Sequence, residues 1–441
     1  MKDTFKKIIS YILRIESTLV LWKYKPKVIA ITGSVGKTST KDAIYSALST
    51  MTYVRKSEKS YNSEIGLPLT ILGIPNGWSD PYVWFKNILK GLWLIIYPHK
   101  YPKWLVLEVG VGKPGDMKKT ALWLKTDVVV ITAIGETPVH IEFFSSVKHL
   151  IEEKSKLITT LKKDGLLVLN ADDDVVFNLK SKSKSRVITY GFNENADVRA
   201  SEDKIFYNDK GEPAGVSFRI DEGGVSLPVF IEGVFGRNHI YASLASLAIF
   251  AGLKWNMISA IDAFKNYDMP PGRMRLLSGI NNSFIIDDTY NSSPFAAESA
   301  LSTLGQVNIE NSTKISGKKG NRKIAVLGDM LELGRHTVDA HRNIGKIASD
   351  NVDVLLVVGP RAQDIKTGAL EAGMKEKNIF EFNNSLEAGE FLKDLVNTND
   401  LVLLKGSQGI RMERAVGAIL NDIENKSKLL VRQDKEWLDK A

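Results

Sequence analysis

The sequence contains no cysteine. That excludes a disulfide framework, a thiolate metal site and a cysteine nucleophile, and it fits a reducing cytoplasm. Any metal must therefore sit on oxygen or imidazole. Long apolar runs are also lacking: among the longest, ILKGLWLIIY at 88–97, is interrupted by Lys90 and falls well short of the roughly 20 residues a spanning helix needs. No transmembrane segment is expected. Nor is there a broad basic face. The net charge is +8, but residues 1–27 alone carry Lys2, Lys6, Lys7, Arg14, Lys23, Lys25 and Lys27 against Asp3 and Glu16, a surplus of +5. The remainder is near neutral, which argues against a nucleic-acid partner. No internal repeat is visible.

What is present is enough for packed cores: 44% apolar residues over 441 positions, a length that implies two or three domains at roughly 100–200 residues each. In the first 24 residues Phe5, Ile8, Ile9, Ile12, Ile15, Leu19 and Trp22 recur at helical spacing with lysines beside them, the pattern of an amphipathic helix. Arg14 and Glu16 interrupt the stretch and no small-residue cleavage site follows, so a signal peptide is not expected here.

Short β-branched runs then alternate with helical patterns: VIAIT, WLVLEV, VVVITAI and LLVLN in the first half, FIIDD, KIAVLGD, VDVLLVVG and LVLLKG in the second. Such alternation predicts parallel sheets covered by helices, an α/β fold. Residues 196–235 alternate apolar and polar around NDKGEP and DEGG, which predicts antiparallel hairpins decorating the first sheet. MPPGRMR at 269–275 has linker punctuation, placing a boundary near 276. The expected organisation is an N-terminal arm at 1–27, a central domain at 28–275 and a C-terminal domain at 276–441. A polar, lysine-rich loop spans 309–323.

TGSVGKTST at 32–40 follows the apolar run VIAI and precedes the helical pattern TKDAIYSALST. Strand, glycine loop and helix are the context of a phosphate-binding loop. Gly33 and Gly36 let backbone N–H groups turn inward, the helix N-terminus adds positive potential, Lys37 reaches outer phosphates and Thr38 can ligate magnesium. Ser34 and Ser39 complete the nucleotide-binding set. The loop is shorter than the common G-x-x-x-x-G-K-T form. By itself it names no reaction.

An ordered set of further motifs does: SYNSEIGLPLTIL (60–72), LEVGVGKPGDM (107–117), ITAIGETPVHIEFF (131–144), EEKSKLI (152–158), GRMR (272–275), DDTYNSSP (287–294), VLGDMLELG (326–334) and KGSQGIRMER (405–414). With TGSVGKTST, this set resembles the Mur ligase family over residues 28–420, most closely its branch that adds D-alanyl-D-alanine. The resemblance implies a central P-loop ATPase domain with a mostly parallel sheet and a C-terminal Rossmann-like α/β domain. It also implies a cytoplasmic, ATP-dependent amide ligase of peptidoglycan precursor synthesis. In that chemistry the γ-phosphoryl group activates an acceptor carboxylate as an acyl phosphate, which an amine then attacks. The implied substrates are a UDP-linked muramoyl tripeptide and D-alanyl-D-alanine, with ATP and Mg2+ as cofactors.

Residue by residue, the resemblance implies that Glu108 and Thr38 hold magnesium and that His140 helps position a second ion. It implies that Lys154 is carbamylated by carbon dioxide and becomes a further ligand, so that Lys37, Lys154 and His140 are the catalytic set. Spacing alone leaves Lys148, Lys154 and Lys156 equally placed on the solvated face of a helix. Arg273, Asp288 and Asn291 match residues that close onto ATP, while Asn62 and Ser63 match a loop facing the acceptor. Lys405, Ser407 and Arg411 are candidates for the incoming dipeptide's carboxylate. Two stretches depart from the pattern. The usual Asn-Ile-Gly reads Ala133-Ile134-Gly135, and the segment 236–246 carries Asn238, His239 and Ala242 where the family has His, Asn and Asn, which points that segment toward packing.

Members of this branch carry a whole N-terminal domain that grips the UDP-sugar, whereas only residues 1–27 precede the phosphate-loop strand here. Either the acceptor is held differently, or another polypeptide supplies the grip, or the acceptor has no UDP. Residues 78–104 place Trp78, Trp84, Trp93 and Trp104 among Lys86, Lys90, Lys100 and Lys103. With the N-terminal helix, this is either a pair of helices covering a sheet or a peripheral membrane-surface binder. Two other readings stand beside the leading one: a Mur-type ligase for another carboxylate, such as a different envelope peptide or polyglutamate, and an ATP-binding module without ligation. Glu108, His140 and Lys154 discriminate, because a pure binding module has no need of a metal-bound acyl-phosphate site.

Overall fold

The computed structural model describes residues 2–58, 61–135, 143–265, 267, 269–309 and 321–439. It divides into two compact units: Met1–Ser201 with Arg219–Val229 and Asn238–Asp268, and Glu202–Phe218 with Phe230–Arg237 and Met269–Ala441. His140 and most of the lysine-rich loop lie outside the described residues.

In the first unit, helix α1 (Lys2–Tyr24) leads into β1 (Lys27–Thr32) and α2 (Lys37–Ser49). Then come β2 (Val54–Lys56), α3 (Gly66–Leu72), α4 (Pro81–Ile96) and β3 (Trp104–Glu108). They are followed by α5 (Asp116–Ala121), β4 (Thr126–Ile131), α6 (Val147–Ser155), β5 (Leu161–Asn170) and β6 (Arg186–Gly191). The strand order is β2-β3-β1-β4-β5-β6, every pair parallel. These strands are buried on both faces, which is why VIAI, LVLE and VVVI read as unbroken apolar runs. β7 (Val198–Tyr207), β8 (Pro213–Glu222) and β9 (Val225–Glu232), whose residues fall partly in each unit, come next in the strand order. Only Gly223 and Gly224, at φ +57° and +83°, join β8 to β9. A two-residue connection permits only an antiparallel pair, and two positive φ values favour the primed turns of hairpins.

The amphipathic helix predicted at the N-terminus is α1, and its three faces have different fates. Ile9, Leu13 and Val20 are buried in the core that also holds Leu67, Leu69 and Trp84. Phe5, Ile8, Ile15, Leu19 and Trp22 are exposed. Lys6, Lys7 and Ser10 face a cavity. α4 begins at Asp80, whose side chain accepts from the Tyr82 and Val83 amides, with Pro81 in the first turn. It ends against α1: Lys23 Nζ donates to the carbonyls of Leu94, Ile95 and Tyr97 at 3.0, 2.9 and 2.7 Å. A lysine on the last carbonyls of a helix satisfies orphan acceptors and complements its dipole.

The second unit's sheet runs β10 (Arg275–Ser278), β11 (Phe284–Asp288), β15 (Leu401–Lys405), β12 (Lys323–Gly328), β13 (Val354–Val358) and β14 (Ile379–Phe382). β10 is antiparallel to β11 and the others are parallel. The unit takes residues from 269 onward, earlier than the boundary expected near 276. The reason is local: Gly272 N donates to Asp287 Oδ2 and Met274 N to Asp288 Oδ1, at 3.1 and 3.2 Å, so GRMR is tied into this sheet. No described helix is long and apolar enough to cross a membrane.

Candidate active site

β1 lies between β3 and β4, so three parallel strands deliver their carboxyl ends to one edge, the place where open α/β sheets bind ligands. From β1 comes the phosphate loop. Gly33 has φ +149°, and a Cβ there would meet Thr132 Oγ1 at 2.0 Å; Gly36, at φ +84°, caps α2 in a left-handed conformation. Both positions demand glycine. The loop is clamped from β4. Ser34 N and Val35 N donate to the Ala133 carbonyl at 2.7 and 3.2 Å, and Thr132 Oγ1 donates to the Val35 carbonyl at 2.6 Å. In this clamp position 133 works through its backbone carbonyl, which alanine supplies. The following turn is held by Asp173, whose Oδ2 accepts from Ile134 N and Gly135 N at 2.7 and 3.0 Å.

From β3 comes Glu108, 1% exposed. Its Oε2 accepts from Thr38 Oγ1 at 2.9 Å and its Oε1 from Asn62 Nδ2 at 3.1 Å. The resemblance points Asn62 at the acceptor; in the structure its amide first orients the carboxylate, though it also lines the cavity described below. Ser63 Oγ accepts from Gly66 N at 3.3 Å, opening the turn into α3, and lines the same cavity. Lys37 Nζ donates to the carbonyls of Gly33 and Ser34 at 2.9 and 3.2 Å, folded over the loop. Ser39 is buried, its carbonyl accepting from Tyr267 OH at 2.9 Å.

From α6 comes Lys154. It is 3% exposed and its Nζ donates to Ser34 Oγ at 2.7 Å. Burial, and secondarily the nearby Lys37 ammonium, hold its pKa well below the usual lysine range. Its two rivals on the same helical run have other fates: Lys148 is exposed and Lys156 pairs with Glu153 at 2.5 Å. Glu153 in turn accepts from Gly115 N and Met117 N at 2.9 and 3.0 Å, which fixes α6 against the start of α5.

The donor set fits a hard cation. Thr38 and Glu108 offer two oxygens beside a phosphate cradle, and Mg2+ characteristically takes one or two protein oxygens, substrate phosphates and waters. Among the described residues no group of three or more His, Asp or Glu is placed to hold a metal by itself. The second-ion role implied for His140 falls on residues outside those described.

A cavity of about 480 Å³ opens beside this cluster. Gly33, Lys37 and Lys154 form one side, Asn62 to Ile65 with Gly110 to Gly112 another, and Lys6, Lys7 and Ser10 of α1 a third. The α1 residues, Thr132 and Asp173 were not legible as site residues: lysines on an amphipathic helix look like solvated charge, and no sequence signal separates them from it. His239, buried in the helix Arg237–Gly252, stacks edge-on against Tyr267 at 6.4 Å, consistent with packing.

The second unit gathers its candidates at the ends of β11 and β15. Lys405 Nζ pairs with Asp288 Oδ2 and also donates to the Asn291 carbonyl at 3.1 Å. Asn291 Oδ1 accepts from Gln408 N at 3.4 Å, and Ser407 Oγ accepts from Leu331 N at 2.8 Å. Arg273 lies over the Tyr290 ring at 4.0 Å. Arg411 is turned inward: it pairs with Glu413 and donates to the Trp437 carbonyl at 2.9 Å, beside Arg432, which binds the other Glu413 oxygen at 2.8 Å. That geometry makes Arg411 a brace of the C-terminal segment, and Lys405 and Ser407 the residues of the trio at the strand edge.

The Mur ligase middle domain matches residues 31–250, and the Mur ligase glutamate ligase domain matches 272–408. The UDP-N-acetylmuramoyl-tripeptide–D-alanyl-D-alanine ligase of Bacillus subtilis is 28% identical over 391 residues, covering 88% of this chain and 75% of the relative. The ligase of the same description from Synechocystis is 26% identical, covering 92% and 79%. The solved structure of the MurF ligase from Thermotoga maritima in complex with ADP superposes with a TM-score of 0.72 at 24% identity, covering 93% of this chain and 82% of that one. With both domain models matched in order and the phosphate loop, Glu108 and Lys154 assembled at one sheet edge, the chain belongs to the Mur ligase family.

Proposed function

We propose that the protein is an ATP-dependent ligase that joins D-alanyl-D-alanine to a UDP-linked muramoyl tripeptide. The observation that carries this reading is the meeting of Lys37, the Thr38–Glu108 pair and buried Lys154 at a single phosphate loop. A nucleotide switch needs the loop and its cation; it has no use for a buried amine bonded to the loop's serine. In the reaction, an acceptor carboxylate oxygen attacks the γ-phosphorus of ATP and ADP leaves. The dipeptide's amine then attacks the acyl carbon, loses a proton, and phosphate departs. Lys37 offsets charge on the transferring group, and Glu108, aimed by Asn62, with Thr38 would hold Mg2+, which supplies Lewis-acid neutralisation of the phosphates.

Lys154 supports carbamylation. A depressed pKa favours the neutral, nucleophilic form of the amine; its nitrogen bonds the carbon of carbon dioxide, releasing one proton and leaving a carboxylate on a long arm beside the loop. The decisive experiment supplies ATP and magnesium with the muramoyl tripeptide and the dipeptide, first separately and then together. Phosphate release and a joined product by mass, both requiring the two substrates together, are expected. Phosphate release without either substrate, and no product, would overturn the reading.

We further propose that the protein works against an anionic membrane surface. The exposed residues of α1, from Phe5 to Trp22, are joined by Tyr82, Phe85, Leu89, Leu92, Trp93 and Ile96, which fall on one stripe of α4. α1 and α4 pack on each other, so these are neighbouring surfaces. Lys86, Lys90 and Lys100 are exposed beside them. Aromatic and aliphatic side chains edged with lysine match the headgroup layer of an anionic bilayer; a second copy of the same basic surface would face like charge.

A further inference from the structure

The cavity beside the phosphate loop carries more positive charge than the ligation step uses. Lys6, Lys7, Lys37, Lys119 and Lys154 line it against Glu64 and Asp116. Asp116 is already engaged, its Oδ2 accepting from Gly112 N and Lys113 N at 3.3 and 2.9 Å. Lys37 and Lys154 lie over the phosphate loop itself. Lys6 and Lys7 are different. They come from another element, α1, and among the described residues neither makes an ion pair or hydrogen bond with the protein. Their backbone is nevertheless fixed: Ile9 and Leu13, 5% and 0% exposed, anchor the same turns in the core, and Ser10, 6% exposed, turns its hydroxyl edge of the helix to the cavity. Two cations carried on a fixed helix backbone at the mouth of a ligand cavity are placed for an anion, and only their side chains remain to be ordered on binding.

We infer that Lys6 and Lys7, with Ser10 beside them, bind a second oxyanion of the acceptor, separate from the carboxylate that reacts. This deepens the ligase reading and rests on it. The chemistry the pair recognises is a compact, multiply charged oxygen anion, which lysine takes as a point charge. Two parts of an acceptor supply that chemistry, the diphosphate of a nucleotide carrier and a further carboxylate of its peptide. α1 then has a double task, filling the core on one face and selecting the substrate on another.

The test compares wild type with Lys6→Ala/Lys7→Ala, both positions being exposed and outside the core. With UDP-N-acetylmuramoyl tripeptide, the acceptor KM should rise about tenfold while the KM for ATP and the turnover at saturating acceptor stay near wild type, the split expected when ground-state binding alone is lost. Repeating the measurement with N-acetylmuramoyl tripeptide, which has no diphosphate, separates the sources. An effect that disappears assigns the phosphates, and one that persists assigns a peptide carboxylate. An unchanged acceptor KM with both substrates overturns the inference. Should wild type form no product, the ligase reading fails and binding decides the inference by itself. Calorimetry with inorganic diphosphate, on protein whose phosphate loop is filled with magnesium and a non-hydrolysable ATP analogue, should give binding that the double variant weakens about tenfold. Equal binding by both proteins, or none by wild type, overturns it.

Discussion

Lys154 Nζ lies 2.7 Å from Ser34 Oγ, a hydrogen bond that ties a buried amine of one helix to the phosphate loop of another strand. Among the described residues the amine is paired with no carboxylate, and Lys37 is nearby, so burial and like charge both favour its neutral form. Replacing Lys154 with alanine should abolish amide formation, by at least about 100-fold, while nucleotide binding to the loop persists. Added short carboxylic acids should restore part of the activity, because they can occupy the space of the missing carbamate. Removing carbon dioxide and bicarbonate from the buffer should slow wild type and leave the rescued variant unaffected. Near-normal turnover in Lys154→Ala would remove the carbamate from the account.

Asn62 holds Glu108 from the side opposite Thr38. Groups that orient a metal-binding carboxylate characteristically contribute 10- to 100-fold, roughly, to metal affinity. Asn62→Ala should therefore raise the magnesium concentration needed for half-maximal activity by about tenfold, with recovery at high magnesium. Thr38→Ala should do the same without full recovery, since it removes an oxygen from the site itself. A magnesium titration of the three proteins checks the order.

The α1 and α4 surface makes a physical demand as well. Wild type should co-sediment with vesicles containing anionic lipid at low salt, and release as salt screens the lysines. Phe85→Ser/Trp93→Ser, on the exposed stripe of α4, should weaken this about tenfold, because each aromatic removed forfeits apolar burial. Protein that stays in the supernatant with every vesicle composition would end the proposal.

How far the site was legible depended on whether a residue acts through local or tertiary geometry. Gly33, Gly36, Lys37 and Thr38 could be read directly, because a strand, a positive-φ glycine and a helix start are encoded within ten residues. Glu108 could be placed at a strand end by its apolar run. Lys154 could not be told from Lys148 or Lys156 by spacing: what separates them is burial, and that is decided by the packing of α6 on its neighbours. Ala133 stands where the motif has asparagine, and its carbonyl, which any residue supplies, is what clamps the phosphate loop. Lys6 and Lys7 resembled solvated charge until α1 was docked. In the second unit, Arg411 had the right residue type for gripping a carboxylate, but Glu413 two positions later claims it.

Glu16 sets a limit on how α1 can sit. It is 3% exposed, against Gly91 of α4, where a Cβ would lie 2.1 Å from Oε2, and neither carboxylate oxygen has a hydrogen-bond partner among the described residues. Burial pushes its pKa up to about 7 from an ordinary value of 4.5. In that interval the folded protein holds a proton the unfolded chain has released, so stability falls as pH rises from about 4.5 and levels off above about 7. The loss amounts to about 3 kcal/mol at most. Glu16→Gln keeps the shape without the charge and should flatten this dependence: its thermal midpoint should match wild type near pH 4 and exceed it at pH 8. If the two proteins melt alike at pH 8, the carboxylate finds water or a cation there, and α1 is less firmly seated on α4 than its buried residues require.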